Sequence, residues 1–112
     1  MKWVFPLIII AILLFVVGCS TISSTSLKEY RVNADSYVGK NITINNRVGE
    51  VGSPAVEIIM KYKVSDLYRF VDDAGYFVNA VSTVRVFEKG KFYTVTGVFI
   101  KTSYGEYYLI EE

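Results

Sequence analysis

The chain has 112 residues with 12 basic and 11 acidic side chains, so its formal net charge at pH 7 is +1. Proteins that bind nucleic acid through its phosphates normally carry a basic patch or stripe, and this near-neutral balance argues against that class. Histidine is absent, which excludes metal sites built on imidazole and the most common general base of enzymes. The single cysteine, Cys19, has no partner for an internal disulfide bond.

The N-terminal segment has the pattern of a secretory signal. Lys2 supplies a short positive region, and residues 3–17 are apolar without an interrupting charge. A charged start followed by an apolar run is typical of a signal peptide. A membrane-spanning helix is the alternative, because residues 3–18 are only slightly shorter than the roughly 20 residues that cross a bilayer.

The residues Val16, Val17, Gly18 and Cys19 end this apolar segment. They resemble the lipobox of prokaryotic membrane lipoproteins. The resemblance implies that Cys19 is the site of lipid attachment and that residues 1–18 are removed as a lipoprotein signal peptide. It also implies a mature protein anchored to the cell membrane on its extracytoplasmic side. A diacylglyceryl group would supply the two acyl chains that stable anchoring generally requires.

A Ser/Thr-rich stretch follows the cysteine. Residues 19–29, CSTISSTSLKE, are expected to form a flexible tether that begins with the lipidated Cys19. Residues 30–112 then form one small domain by length alone. Removal of Lys2 with the signal leaves 11 basic residues against 11 acidic ones, so the mature chain is formally neutral.

The first predicted strand covers residues 40–51. Ile42, Ile44 and Val48 are separated by even intervals with polar residues between them, which is typical of a half-buried strand. Gly49 interrupts the alternation, and a glycine inside a strand often marks a bulge or bend. Residues 52–55, GSPA, have the composition of a turn.

A second strand is predicted over residues 56–66, where the apolar residues again share one parity. These residues are Val56, Ile58, Met60, Tyr62 and Val64. The alternative is a helix that begins at Ser53 with Pro54 in its first turn. Residues 67–71 are expected to continue in an extended conformation.

The rest of the chain is predicted to alternate strands with glycine-containing turns. The strands are residues 76–87, 92–102 and 107–112, and the turns are residues 72–75, 88–91 and 103–106. The domain therefore contains about five strands and no helix. A small closed barrel would bury one face of every strand and leave no exposed edge.

Two stretches resemble the OB-fold, a five-stranded barrel. Residues 37–51, YVGKNITINNRVGEV, are similar to its first strand, and residues 89–98, KGKFYTVTGV, are similar to a phrase of its fourth strand. The resemblance implies an all-β, OB-fold-like barrel. Most OB-folds carry a helix between the third and fourth strands, and the segment before residue 89 has little room for one. An SH3-like or other small barrel is the alternative.

Catalytic residues are not evident in the sequence. Asp72 and Asp73 are adjacent carboxylates, but neighbouring residues on a strand point to opposite faces, and a hairpin turn explains the pair better. No glycine-rich phosphate loop is present. We therefore expect a protein that is not an enzyme and that uses no cofactor and no metal.

The expected function is binding. OB-folds commonly bind oligonucleotides or oligosaccharides on the face of strands two and three. The parity of residues 56–64 places Lys61 and Lys63 on that face, and Arg69 and Phe77 are further candidates. The neutral charge and the extracytoplasmic location favour an envelope protein or glycan over an oligonucleotide. A structural role, in which Tyr104, Tyr107 and Tyr108 contact other envelope components, is the alternative.

Overall fold

The structure is a computed structural model that describes residues 26–112. Over this range the chain forms five strands, two α-helices and one 3-10 helix. In chain order these are α1 (Leu27–Val32), the 3-10 helix (Ala34–Tyr37), β1 (Asn41–Gly52), α2 (Val56–Tyr62), β2 (Leu67–Val71), β3 (Phe77–Ser82), β4 (Phe92–Lys101) and β5 (Tyr107–Glu111).

The five strands close into a barrel in the order β1-β2-β3-β5-β4. All neighbouring pairs are antiparallel except β3 and β5, which run parallel from Ala80↔Leu109 to Ser82↔Glu111. The prediction of an all-β, OB-fold-like five-stranded barrel is confirmed.

Strand β1 bends at Gly49, as the sequence predicts. Its first part pairs with β4 and its second part with β2, and the register with β2 shifts between Val48 and Glu50. A Cβ at Gly49 would lie 2.8 Å from a methyl carbon of Val71. The missing side chain therefore lets the bent strand approach β2 closely.

The barrel interior is filled by the inward-facing residues of all five strands. Val48, Phe70, Val95 and Leu109 are fully buried there, together with Phe99. Removal of a large aromatic side chain from such a core costs about 3–5 kcal/mol of stability.

The predicted second strand over residues 56–66 is wrong, because residues 56–62 form α2 and residues 63–66 have no regular secondary structure. The extended conformation expected for residues 67–71 is confirmed as β2. Ile58 is buried, whereas Val56 and Met60 are 72% and 66% exposed. Ile58 and Tyr62 are four residues apart, a spacing that fits a helix face as well as one parity of a strand. The helix begins at Val56, so Pro54 lies before its first turn.

Helix α2 packs on the outside of the barrel and forms a second core there. Ile58 and Val64 bury their side chains against Val81, Tyr108 and Ile110, which point outward from β3 and β5. The hydroxyl of Tyr108 accepts a hydrogen bond of 3.1 Å from the backbone N–H of Ala55. Every second residue of a strand faces away from the barrel interior. Helix α2 covers part of the outer surface that these residues form on β3 and β5.

The domain begins earlier than predicted. The tether was expected to extend through residue 29, but α1 starts at Leu27, and Leu27, Tyr30 and Ala34 are buried in the barrel core. The Tyr30 ring packs edge-on against Tyr37 at 4.8 Å between ring centroids. These buried side chains fix the segment to the barrel, so the expectation of a domain without helices is also wrong. The predicted signal peptide and Cys19 lie outside the described residues.

The third predicted strand ends at Ser82 instead of residue 87, and residues 83–91 form a loop without a helix. Phe87 from this loop is buried and makes edge-to-face contacts with Tyr68, Phe70 and Tyr93. The strand ends at Ser82 because the following loop turns back and places the Phe87 side chain in the barrel core. The three predicted turns are confirmed, and each has its glycine at positive φ.

Gly97 provides a test of the barrel. A Cβ at this position would collide with the backbone carbonyl of Ile110, which is held in the pairing of β4 with β5. We expect Gly97→Ala to lower the free energy of unfolding by about 3 kcal/mol or more, measured by urea denaturation. Gly52→Ala is the matched control, because no atom lies within 4 Å of its added Cβ. Equal losses in the two variants would contradict the close approach at Gly97.

Candidate functional site

The outer face of β2 and β3 carries a cluster of polar and aromatic side chains. Tyr68 and Phe70 of β2 point into the barrel, so Arg69 between them points outward. The same alternation places Phe77 and Asn79 on the outer face of β3. Arg69 is paired with Asn79 across the strands, and its Nε donates a 3.3 Å hydrogen bond to Asn79 Oδ1.

Helix α1 adds a second arginine to this face. The guanidinium carbon of Arg31 lies 4.2 Å from the centroid of the Phe77 ring, and that of Arg69 lies 4.1 Å from the same centroid. Both distances are within the range of cation–π attraction. One half-buried ring thus contacts two guanidinium groups.

These side chains lie in a groove with a volume of about 570 Å³. Its walls are Arg31 of α1, the outer residues of β2 and β3, residues 53–55 before α2, and residues 105–108 at the turn into β5. The groove therefore follows the β2–β3 face and is flanked by the β1–β2 and β4–β5 connections, where OB-folds commonly hold their ligands.

The charges of the groove are only partly compensated. Arg69 lies 3.9 Å from a carboxylate oxygen of Glu50, and both side chains are substantially exposed, so the attraction is weak. Among residues 26–112, no carboxylate forms a salt bridge with Arg31. Glu106 also lines the groove, and one of its oxygens accepts a 3.0 Å hydrogen bond from the Tyr108 hydroxyl.

The tyrosines at the start of β5 are held in place by polar contacts. Burial raises the pKa of Tyr108, whose hydroxyl bridges Ala55 and Glu106. The Tyr107 hydroxyl donates a hydrogen bond to Asp35, and this bond together with one from Lys101 lowers the pKa of the Asp35 carboxyl. The Tyr107 ring stacks on Phe99 at 5.7 Å. The wall formed by β5 is therefore preorganised.

The structure brings together two of the four predicted ligand-binding residues. Arg69 and Phe77 are in contact and line the groove. Lys61 lies on α2 and Lys63 directly after it in a left-handed conformation, and neither lines the groove. Their predicted place on the β2–β3 face is wrong because it assumed that residues 56–64 were a strand. The predicted lipid attachment site, Cys19, lies outside the described residues.

Arg31 and Asn79 were missed by the sequence analysis. Arg31 was assigned no role because the segment before it was interpreted as a tether. A signal was present, since Leu27, Tyr30 and Ala34 have the i, i+3, i+7 spacing of a buried helix face. Among the predicted scaffold tyrosines, Tyr104 is 89% exposed at a turn, whereas Tyr107 is half-buried and Tyr108 is buried.

A scan against models of protein families finds no match to this chain, and a search of curated proteins finds no significant similarity. No helix among residues 26–112 is long and apolar enough to span a membrane. Within the same range, no group of three or more metal-ligating side chains is placed to hold an ion. The site is therefore interpreted from its own geometry.

A second polar cluster fastens the loop of residues 83–91 to the barrel. Arg85 donates two hydrogen bonds to Glu111, with its Nε 2.9 Å from Oε1 and its Nη2 2.7 Å from Oε2. Ser82 donates a third hydrogen bond of 2.8 Å to the same carboxylate. The Arg85 guanidinium also lies over the Phe87 ring. Because the buried carboxylate is satisfied within the protein, this cluster has a structural role.

The pH dependence of stability tests this cluster. Burial raises the pKa of Glu111, but the hydrogen bonds from Arg85 and Ser82 outweigh burial and lower its pKa overall. A lowered pKa in the folded state stabilises the protein above the pKa of the unfolded chain, and this contribution is lost as the pH falls. We expect Glu111→Gln to cost about 2 kcal/mol at pH 7 and progressively less as the pH falls below 4, measured by urea denaturation. The exposed neighbour Glu112→Gln is the control. A Glu111→Gln deficit that does not shrink in acid would contradict the assignment.

Proposed function

We propose that this protein is a lipid-anchored membrane protein of the cell envelope, and that its barrel domain is a non-catalytic module that binds an envelope protein or glycan. The observation that carries the proposal is the groove on the β2–β3 face, with Arg31, Arg69 and Phe77 held together at its centre. Its volume of about 570 Å³ is within the range of 300–1,000 Å³ typical of ligand sites.

The contacts around the groove support binding, because they hold its side chains in fixed orientations. Phe77 packs against both arginines, Asn79 accepts a hydrogen bond from Arg69, and the tyrosines of β5 are hydrogen-bonded. Fixed side chains lose little conformational freedom when a ligand binds, so more of the interaction energy appears as affinity.

The side chains of the groove suit recognition better than catalysis. Glu106 is the carboxylate among its lining residues, and one of its oxygens is occupied by Tyr108. Arginine remains protonated in proteins and is a poor general acid or base at neutral pH. The side chains of the groove can form hydrogen bonds and ion pairs with a ligand.

The short connection to Cys19 supports the anchored arrangement. Seven residues, 20–26, separate Cys19 from the start of α1. Even when fully extended, such a segment spans at most about 25 Å. A lipid on Cys19 would thus keep the groove close to the membrane surface, where envelope components are concentrated.

The lipid anchor is tested by substitution of the cysteine. We expect Cys19→Ser to abolish incorporation of a labelled fatty acid and to leave the precursor at its full length, because the lipid would be attached to the Sγ atom of Cys19. Labelling in cells followed by mass spectrometry measures both properties. Ser20→Ala is the control and should be processed normally. Wild-type protein that carries no lipid and retains residues 1–18 would show that the segment is a membrane helix.

The groove is tested by photo-crosslinking of the full chain in cells of its own organism. A benzophenone amino acid at Asn79 should form a specific adduct, whereas the same group at Met60, which is exposed on α2 outside the groove, should not. The adduct at Asn79 should be lost when Arg69→Gln is added. Equal adducts at both positions, or none at Asn79, would contradict the groove as the binding site, and a nucleic-acid adduct would support the oligonucleotide alternative.

A further inference from the structure

The two arginines of the groove contact the same aromatic ring, Phe77. Their guanidinium carbons lie 4.2 and 4.1 Å from one ring centroid, so the two groups are at most about twice that distance apart. Guanidinium groups present a planar set of donors that matches a carboxylate in a bidentate geometry. Contact with Phe77 restricts both side chains before any ligand arrives, and the hydrogen bond to Asn79 also restricts Arg69.

The charges favour a carboxylate over a polyphosphate. Arg31 and Arg69 are the cationic side chains that line the groove, and Glu106 partly offsets them. A nucleic acid needs many phosphates neutralised along its length and aromatic rings on which its bases stack. Here the Phe77 ring is already in contact with two guanidinium groups. A ligand with one or two isolated negative charges fits this arrangement.

The remaining lining favours a saccharide over a peptide. Asn79 and Ser53 offer amide and hydroxyl groups that suit the hydroxyls of sugar rings. A peptide that adds a strand needs a free sheet edge, whereas every strand of this barrel pairs with two neighbours. Pro54, an apolar residue of the groove wall, is itself buried.

We propose that the groove selects an acidic saccharide, with the sugar carboxylate bound by the guanidinium groups that line the groove, those of Arg31 and Arg69, and a ring hydroxyl accepting a hydrogen bond from the Asn79 amide. This inference rests on the proposed binding function and names its ligand class. Glu50 competes with the ligand for Arg69, because its carboxylate lies 3.9 Å from that guanidinium.

The test is calorimetric titration of the full chain in nonionic detergent with trigalacturonic acid, with a neutral galactose trisaccharide, and with pentaglutamate. We expect the acidic trisaccharide to bind more tightly than the other two. Arg31→Gln and Arg69→Gln should each weaken its binding by roughly tenfold or more, because each removes a charge-assisted hydrogen bond. Glu50→Gln should tighten binding by about threefold, because it removes the competing carboxylate. Lys61→Gln, a loss of the same charge outside the groove, should change nothing.

Several outcomes would overturn the proposal. Equal binding of the neutral trisaccharide, with no effect of the arginine variants, would remove the carboxylate selectivity while leaving the groove as a glycan site. Tighter binding of pentaglutamate would assign the groove to an acidic peptide. Absence of binding by the acidic trisaccharide would refute the ligand class, whereas the crosslinking at Asn79 tests the groove itself independently. A loss of affinity in Lys61→Gln equal to that in Arg31→Gln and Arg69→Gln would indicate a general charge effect only.

Discussion

The fold depends on β1, which pairs with two different strands along its length. Residues 41–47 pair with β4 and the remainder with β2, so this one strand closes the ring. The change of partner requires a sharp bend, and Gly49 permits it because Val71 occupies the space where a side chain would lie. After the bend β1 pairs with β2, and β2 pairs with β3, so the bend precedes the two strands whose outer face carries the groove.

Alternation in the sequence predicted the strands whose two faces have different surroundings. In β1 the inward residues Ile42, Ile44 and Val48 are apolar and the outward residues are largely polar, so the period of two was visible. The same period of two led to a wrong prediction at residues 56–62, which pack against the outer surface of β3 and β5. A short helix of seven residues covers that surface, and the spacing of four between its inward-facing residues is also an even interval, as on one face of a strand. Which of the two structures forms was decided by tertiary contacts with Tyr108 and Val81.

The groove was only partly predictable for a related reason. Arg69 and Phe77 belong to strands whose outer face could be assigned by position, and both were selected. Arg31 reaches the same face from a helix more than thirty residues earlier in the chain, and its placement depends on the burial of Leu27 and Tyr30. Sequence analysis of single segments does not show which segments meet in space. The combination of the two arginines on one ring is therefore a product of the tertiary structure.

The order of strands in the ring also governs when the domain can form during its synthesis. Strand β5 lies between β3 and β4, so the ring stays open until Tyr107–Glu111 is available. Asn41 of β1 pairs with Val98 of β4. Residues so far apart in the chain pair slowly, because the long segment between them has to form a closed loop first. The barrel consequently cannot close until β5 has been synthesised.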